Sequence, residues 1–351
     1  MNIAIDTTPL RKDHFLQHRV RGTGFYIENL KRALLKYFPQ DKYIFITRGE
    51  KVPKDINLIH YPYFEPFFLT LPFKKQTKTV VTVHDLIPLV FPDYFPSGIK
   101  GKIKWLIQKY SLRQTNEIIT DSQSSKRDII KYTDINSEKV HVVYLAAGEN
   151  FRSTNDNEIK TDIIRKLNLP KDYILYVGDA TWNKNLPRLA KAIKKINLPL
   201  VMVGQALVNT DIDANNPWNR DLIEVKNLIK NEPQIILTGF VSENDLICLY
   251  QSAKVFIMPS LYEGFGLPVL EALSCGCPVI TAEKGSLEEI AGDAPFYINP
   301  YSEDDIANGI STVYYNDALR SEMINKGIIQ SKKFTWQKTA AATMAVYEKT
   351  I

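Results

Sequence analysis

The chain has 351 residues and a formal net charge of +5, with 44% hydrophobic and 24% charged side chains. This length is typical of two domains that each bury a core, and the charge is too small to indicate a nucleic-acid-binding protein. No run of about eighteen apolar residues is present, so no membrane-spanning helix is expected. The first residues read as a strand without the pattern of a signal peptide, so we expect a cytoplasmic protein.

Two short motifs resemble metal sites but lack the remaining ligands. Cys275 and Cys277 form a lone C-x-C with no second ligand pair, and the three cysteines are typical of small core residues in a reducing compartment. Asp211–Asp213 reads D-x-D, but Asn216 and Leu222 replace the glycine and glutamate of a calcium loop. We therefore predict no metal cofactor.

Apolar, β-branched runs alternate with helical patterns along the whole chain. They are "NIAID", "YIFIT", "NLIHY", "TVVTVHD", "EIITDS" and "VHVVYL", then "YILYVGD", "LPLVMVG", "QIILTGF", "VFIMPS", "CPVIT" and "PFYIN". This alternation predicts an α/β protein with parallel sheets. The series of runs begins again after about residue 150. This predicts two doubly wound, Rossmann-like domains, at 1–150 and 151–334, which face each other across a cleft. A polar linker, 152–162, separates them, and a helix at 335–351 returns to the first domain. Ligands of such sheets bind beyond the carboxyl ends of the strands.

Two features of the first domain fall near strand or helix ends. Gly22 and Gly24 form a predicted loop that leads into a helix, but Ile27 replaces the third glycine of a dinucleotide-binding turn. An NAD site is therefore disfavoured. His84 ends the strand "TVVTVHD", where it either makes a structural hydrogen bond or contacts a ligand. Asp85 beside it either orients this histidine or binds an acceptor.

The segment "IKGKIKWLIQKYSLR" reads as a helix without any acidic residue. Ile99, Ile103, Leu106, Ile107 and Tyr110 share one face. The basic residues are Lys100, Lys102, Lys104, Lys109 and Arg113. Such a helix either touches an anionic membrane or acceptor as a peripheral contact, or packs its apolar face on the core and exposes its charges. The second interpretation is the more common one and is the one we favour from sequence.

Lys184 lies in "ATWNKNLPRL", between a strand and a helix. Asn185 is predicted to cap that helix, with Pro187 in its first turn. A lysine at this position reaches diphosphate oxygens as a point charge. The alternative is a solvated loop lysine.

The segment "PSLYEGFGLPVLEALSCGCPVIT" predicts an anion site at the start of a helix. Pro268 suits a first helical turn and Gly276 suits the helix end. Unpaired N–H groups near Gly266 and Leu267, with the helix dipole, attract an anion. Gly264 and Gly266 let the backbone approach a ligand closely.

Glu263 and Glu271 flank this turn, eight residues apart. Carboxylates are poor phosphate ligands but good acceptors for hydroxyl groups. The arrangement therefore suits a nucleoside diphosphate linked to a sugar, with amides for the phosphates and carboxylates for hydroxyls at either end. Alternatively, Glu271 only complements the helix dipole and Glu263 is a solvated loop residue.

These motifs together resemble the retaining glycosyltransferases of family 4, which have the GT-B fold, and among them the bacterial mannosyltransferase-like group 1 enzymes. The two glutamates match the E-x7-E signature of that family. The match continues through "RGTGFYIENL", "TVHDLIPL", "ITDSQSSKRDI", "ILYVGDATWNKNLPRLAKAI" and "FTWQKTAAATMAVYE". The resemblance implies transfer of a hexose, with mannose the first guess, from a nucleotide diphosphate sugar to a hydroxyl of a glycan or lipid-linked glycan.

The resemblance also implies a set of site residues. The residues implied in catalysis are His84, Glu263 and Lys184. The implied donor-binding residues are Gly22, Gly24, Asp179, Lys184, Gly239, Phe240, Val241, Glu263, Gly264, Phe265, Gly266, Leu267 and Glu271.

One departure from the family pattern concerns the phosphate side. Asp179 and Asn183 stand where similar proteins often carry basic residues, so a second cation is missing or comes from Arg188 or Arg21. Two alternatives stay open: a sugar-nucleotide epimerase on the same scaffold, and a non-catalytic protein that binds nucleotide sugars.

Overall fold

The computed structural model describes residues 1–11, 20–153 and 163–351. Within them the chain forms two compact units, Met1–Ala146 with Phe334–Ile351 and Ala147–Lys333. Most of the predicted linker, residues 154–162, lies outside the described residues. Each unit is built on one parallel sheet.

The described part of the first unit alternates strands with helices. The strands are β1 (Asn2–Asp6), β2 (Lys42–Ile46), β3 (Leu58–Tyr61), β4 (Lys78–Thr82), β5 (Glu117–Thr120) and β6 (Val140–Val142). The helices are α1 (Val20–Tyr37), α2 (Ile87–Val90), α3 (Gly98–Arg113) and α4 (Gln123–Thr133). The strands pair in parallel in the order β2-β1-β3-β4-β5-β6. This order makes β4 and β5 neighbours, so the loops that follow them leave the same edge of the sheet.

Helix α1 begins earlier than the sequence predicts. Gly22 and Gly24 lie in its first turns rather than in a loop, so that part of the prediction is wrong. A glycine costs a helix only about 1 kcal/mol relative to alanine. Tyr26, Ile27 and Leu30 are fully buried along one face of this helix, and their packing outweighs that cost.

The second unit repeats the architecture. Its strands are β7 (Ile174–Val177), β8 (Leu200–Val203), β9 (Ile235–Gly239), β10 (Val255–Met258), β11 (Val279–Thr281) and β12 (Phe296–Tyr297). Residues 163–166 are helical, and the other helices in the described part of this unit are α5 (Leu186–Ile196), α6 (Gln205–Val208), α7 (Arg220–Ile229), α8 (Glu243–Ser252), α9 (Leu267–Ser274), α10 (Leu287–Ala291), α11 (Glu303–Tyr315) and α12 (Asp317–Ser331).

The second sheet is buried on both faces. On β7, Ile174 and Tyr176 join one apolar core while Leu175 and Val177 join the other, because successive side chains of a strand point to opposite faces. The predicted apolar runs correspond to the strands β1 to β12, and the predicted α/β class with two doubly wound sheets is confirmed.

The strand order of the second sheet is β12-β11-β10-β7-β8-β9. The chain winds outward from β7 in one direction and from β10 in the other, which makes the gap between these two neighbours the topological switch point. Ligands of doubly wound sheets bind beyond the carboxyl ends of the strands at such a point. The loops after β7 and β10 carry Lys184 and Glu263 respectively.

Most long helices begin at a side-chain cap. Ser122, Ser242, Ser302, Asn316 and Thr335 each accept a hydrogen bond from the backbone N–H three residues further on. Helix α9, like α3, α5 and α7, has no side-chain cap. Gly266 precedes it in the left-handed conformation.

The closing helix α13 (Trp336–Thr350) belongs to the first unit. It packs against α1, β4 and β5. The hydroxyl of Thr339 donates to the carbonyl of Tyr144 at 2.8 Å, and Tyr347 is fully buried. Residues from the end of the chain thus complete the core of the first unit.

Candidate functional site

Two asparagines fasten the loop after β7 to neighbouring strand-end loops. Asn183 donates from Nδ2 to the carbonyl of Tyr262 at 3.0 Å, and Asn185 donates to the carbonyls of Pro259 and Pro300 at 3.0 and 2.6 Å. The predicted side-chain cap by Asn185 on α5 is therefore wrong. Both asparagines are buried, which explains why Asn183 is not basic: its amide holds two loops together.

Lys184 and Glu263 form a close ion pair at the switch point. Nζ of Lys184 lies 2.7 Å from Oε1 and 2.9 Å from Oε2 of Glu263. Only 17% of the lysine side chain and 8% of the glutamate side chain are exposed. Glu263 is therefore a buried, paired carboxylate and not a solvated loop residue.

The loop after β11 supports Glu263 from the other side. Ser286 donates to the carbonyl of Glu263 from its backbone N–H at 3.2 Å and from its hydroxyl at 3.1 Å. Gly285 has φ +64°, and a Cβ there would lie 2.5 Å from the carbonyl oxygen of Glu263 and 2.7 Å from its nitrogen. Glycine is required at this position because backbone approaches backbone.

The start of α9 presents backbone donors at the same edge of the sheet. In the part of the chain that the structure describes, the N–H groups of Gly266 and Leu267 have no hydrogen-bond acceptor. Gly266 has φ +90°, a conformation that glycine adopts without strain. Uncapped N–H groups and the dipole of α9 make this turn suitable for an anion.

Glu271 lies in α9 and is 7% exposed. The hydroxyl of Tyr250 donates to Oε2 of Glu271 at 3.1 Å. Burial, and then the charge of Glu271, raises the pKa of Tyr250 well above its ordinary value. The tyrosine therefore stays a donor and fixes the orientation of the carboxylate.

The remaining predicted donor-side residues differ in environment. Asp179 is exposed in the loop after β7, and Gly264 and Phe265 are buried between Glu263 and α9. Gly239 ends β9 with φ +68°, Phe240 after it is 63% exposed, and Val241 joins the apolar core. These three residues lie at the carboxyl end of an edge strand.

Cations other than Lys184 are held near these loops. Arg188 donates to Oδ1 of Asn185 at 2.8 Å, and its guanidinium lies 5.9 Å from the ring centre of Tyr301. Lys284, which the sequence prediction missed, follows β11 and lies 5.7 Å from the same ring centre. The side chain of Arg21 lies outside the described residues.

In the first unit, His84 pairs with a residue that the sequence prediction missed. Nδ1 of His84 lies 2.6 Å from Oδ2 of Asp121, which is 2% exposed. Asp85 instead accepts the backbone N–H of Ile87. Asp121 directly follows β5, the neighbour of β4, and that position is the signal that could have found it. The buried Nε2 of His84 has no partner of hydrogen-bonding geometry among the described residues.

Buried groups around His84 set its charge. Burial lowers the pKa of His84. The charge and hydrogen bond of Asp121, together with the charge of Asp85 and the backbone of Pro62, outweigh burial and raise this pKa above its ordinary value. The Tyr26 ring meets the His84 ring edge-on at 4.9 Å. Burial, and then the charge of His84, lowers the pKa of His60 to about 3. His60 is therefore neutral, and it links Tyr347 and Thr82 through hydrogen bonds of 2.7 and 2.8 Å.

Metal clusters and membrane-spanning helices are both absent from the described part of the chain. Within residues 1–11, 20–153 and 163–351, no three metal-ligating side chains cluster. Over the same ranges, no helix has the length and apolar character needed to cross a membrane. Asp211–Asp213 lies in a loop, where Asp213 accepts the backbone N–H of Asn215.

Two family models match consecutive parts of the chain. The model for Glycosyltransferase Family 4 matches residues 6–146, and the model for Glycosyl transferases group 1 matches residues 158–330. The chain belongs to glycosyltransferase family 4. The predicted resemblance to the bacterial mannosyltransferase-like group 1 proteins is confirmed by the second of these models together with the relatives described next.

The similar family members include two Escherichia coli proteins. The chain is 30% identical over 334 residues to the serotype-specific mannosyltransferase WbdA, covering 94% of this chain and 40% of WbdA. It is 29% identical over 298 residues to O-antigen chain mannosyltransferase B, covering 82% of this chain and 74% of that protein. The chain thus spans less than half the length of WbdA.

The fold has counterparts among solved structures. Anabaena Alr3699/HepE in complex with UDP and glucose superposes with a TM-score of 0.73 at 16% identity, over 99% of this chain and all of that one. At this identity the likeness shows the fold alone, which is the predicted GT-B fold.

Proposed function

We propose that this family 4 chain transfers a hexose from a nucleotide diphosphate sugar to a hydroxyl of a glycan or lipid-linked glycan. One observation carries the proposal. At the switch point of the second sheet, the unpaired amides of Gly266 and Leu267 and the ammonium of Lys184 accompany two buried carboxylates, Glu263 and Glu271. Groups that donate hydrogen bonds to an anion, next to carboxylates that accept them from hydroxyls, suit a diphosphate that joins two sugars.

The proposed binding mode follows from the chemistry of each group. The amides at the start of α9 bind the diphosphate. Glu271, which Tyr250 orients, accepts hydrogen bonds from the ribose hydroxyls. Glu263, supported by Ser286, accepts from hydroxyls of the transferred sugar. Lys184 then divides its donors between Glu263 and the β-phosphate.

The proposed catalytic effect is electrostatic. When the bond between sugar and diphosphate breaks, negative charge grows on the β-phosphate. The fixed amides and Lys184 stabilise that charge more strongly in the transition state than in the ground state. A retaining double displacement needs a carboxylate nucleophile at the anomeric carbon, and we assign none. We propose instead a same-face displacement in which the leaving phosphate accepts the proton of the acceptor hydroxyl.

For the first unit we propose a contact with the transferred sugar. Asp121 holds Nδ1 of His84 at 2.6 Å, which leaves Nε2 to contact a hydroxyl of the sugar, and we assign no general-base role to His84. The proposal includes no metal cofactor, because Lys184 and the α9 amides supply the positive potential. Transfer should therefore be unchanged by EDTA.

Mannose is the first candidate for the sugar, because both E. coli relatives are mannosyltransferases. The base is less defined. HepE was crystallised with UDP, whereas our first guess from the resemblance is GDP-mannose. Both nucleotides therefore belong in the test.

The experiment is a thermal-shift panel of GDP, UDP, GDP-mannose and UDP-glucose, followed by transfer assays. A ligand at about a hundred times its Kd stabilises by about 2.7 kcal/mol. We expect one base to stabilise the wild type, with the shift largely lost in Glu271→Gln, which keeps an acceptor for Tyr250. Tyr250→Phe, which keeps the carboxylate, should lose less.

Two results would contradict the proposal. If Glu271→Gln responds to every nucleotide as the wild type does, Glu271 does not contact the donor. If donor alone yields an epimer, or if donor binds and no acceptor in a panel of glycans and lipid-linked glycans is glycosylated, the chain is not a transferase of this kind.

A further inference from the structure

Helix α3 carries its apolar face on the outside. Ile99 is 80% exposed and Leu106 is 66% exposed, and the same face carries Ile103, Ile107 and Tyr110, each more than a third exposed. The interpretation favoured from sequence, in which this face packs on the core, is therefore wrong. At about 100° per residue the five side chains span about 100° of the helix circumference.

The side of α3 that faces its own unit contains buried polar residues as well as an apolar one, Leu112. Gln108 is fully buried, donates to Thr70 at 2.8 Å and accepts from the backbone N–H of Leu71. Ser111 donates to the carbonyl of Pro72 at 2.7 Å. These hydrogen bonds, with buried Leu112, fix which face points outward. The exposed apolar face is thus a property of the folded unit.

The apolar surface extends beyond the helix. Phe73, which is 61% exposed, stacks on Tyr110 with 5.2 Å between ring centres. Single exposed apolar residues are normal on a protein surface, whereas a contiguous group of six large ones marks an interaction surface. We call these six residues the α3 patch: Phe73, Ile99, Ile103, Leu106, Ile107 and Tyr110.

Cations border the α3 patch on both sides. By helical position, Lys102 and Arg113 lie along one border and Lys100 along the other. Lys100 and Lys102 are exposed, and no acidic side chain of the described residues pairs with them. Asp134 is shared by Lys109 and Arg113, so it offsets only part of the positive charge.

We propose that the α3 patch docks on an anionic lipid bilayer, with α3 lying in the plane of the interface. The apolar side chains enter the boundary between headgroups and acyl chains, and the bordering lysines meet anionic headgroups. A second copy of the chain fits less well, because a two-fold interface places the same surface against itself and opposes the lysines. This inference does not depend on the proposed transferase activity.

The test is co-sedimentation with phosphatidylcholine vesicles that contain about one-third phosphatidylglycerol, compared with phosphatidylcholine alone. We expect binding to the anionic vesicles only, with a steep decrease from about 50 to 500 mM salt. Leu106→Glu should lower the partition coefficient at least about tenfold, because burial of a leucine is worth about 1.5–3 kcal/mol. Lys100→Glu with Lys102→Glu should lower it at least about twenty-five-fold, at about fivefold for each lysine lost.

Matched variants distinguish a role of the α3 patch from the effect of the same charge changes elsewhere on the protein. Ile329 in α12 is 65% exposed, nearly the same as Leu106, so Ile329→Glu is the control for the apolar change. Lys51 and Lys54 are exposed in the same unit, and reversing both changes the net charge by the same amount as the α3 reversal. Both controls should bind vesicles as the wild type does.

Three outcomes would overturn the proposal. The first is equal binding to neutral and anionic vesicles, or to neither. The second is a loss of binding in the controls that matches the loss in the α3 variants. The third is a dimer in sedimentation equilibrium without lipid that Leu106→Glu dissociates, since the patch would then be an interface between copies. Unchanged thermal unfolding of Leu106→Glu confirms that a loss of binding is not a loss of fold.

Discussion

Gly285 tests whether the position of Glu263 matters for donor binding. Its φ of +64° is strained for any residue with a Cβ, and the added Cβ of Gly285→Ala would lie 2.5 Å from the carbonyl oxygen of Glu263. Gly98→Ala is the control, because Gly98 has φ +59° and a Cβ added there meets nothing within 4 Å. Both variants introduce the same backbone strain, but only in Gly285→Ala does the added Cβ collide with the backbone of Glu263.

The expected magnitudes follow from these two contributions. Left-handed backbone at a non-glycine residue costs about 1–2 kcal/mol, and this applies to both variants. Overpacking typically adds about 1–3 kcal/mol, and it applies to Gly285→Ala alone, since backbone atoms must move. A displacement of about 1 Å at a catalytic group can cost about a hundredfold in rate. We therefore expect a large loss of kcat/KM in Gly285→Ala and little change in Gly98→Ala.

Three measurements decide the outcome: urea unfolding, nucleotide affinity by calorimetry, and sugar transfer. The reasoning predicts that Gly285→Ala is less stable than Gly98→Ala and has lost both affinity and activity. If Gly285→Ala binds and transfers as Gly98→Ala does, the support of Glu263 by the β11 loop does not position a functional carboxylate.

Two further predictions concern pH. Because the pKa of His84 is raised in the folded state, protonation of His84 stabilises the fold. This stabilisation is complete below the unfolded-state pKa of about 6.5 and is lost as pH rises through the folded-state pKa. Asp121→Asn should therefore lower the free energy of unfolding more at low pH than at high pH. Urea unfolding of the wild type and the variant at several pH values measures this difference. A difference that stays the same at every pH would contradict the charged pair. His60 has its pKa lowered to about 3, so unfolding takes up a proton below about pH 6.5 and stability falls by up to about 4–5 kcal/mol towards pH 3. His60→Gln should show a shallower acid slope in the same measurement, and an unchanged slope would mean that other groups cause the acid loss.

Local sequence patterns determined the strands and the main elements of the candidate site at the start of α9. Strands such as "YILYVGD" are short, apolar and rich in β-branched or aromatic residues, and they end at glycine, which together indicate a buried strand. The turn before α9 could also be predicted from the sequence, because Gly266, Pro268 and Glu271 lie within one short segment. Their residue types and spacing indicate the backbone conformation of that segment directly. The family resemblance then predicted a sugar-nucleotide ligand for Glu263.

Long-range pairing decided what the sequence could not. Lys184 meets Glu263, and Asp121 meets His84, only because the strands that precede them are neighbours in their sheets. Strand order depends on crossovers between distant segments, which no local periodicity records.

The same limit explains α1 and α3. The sequence of α3 shows an apolar and a basic character, but which face the unit covers depends on Gln108 and Ser111 bonding to a distant loop. The helix at Gly22 and Gly24 persists because tertiary burial further along α1 outweighs the local preference of glycine. The sequence by itself determined the elements and the chemistry available at their ends, whereas only the tertiary structure decided which of those groups meet, because that choice is made by contacts between distant parts of the chain.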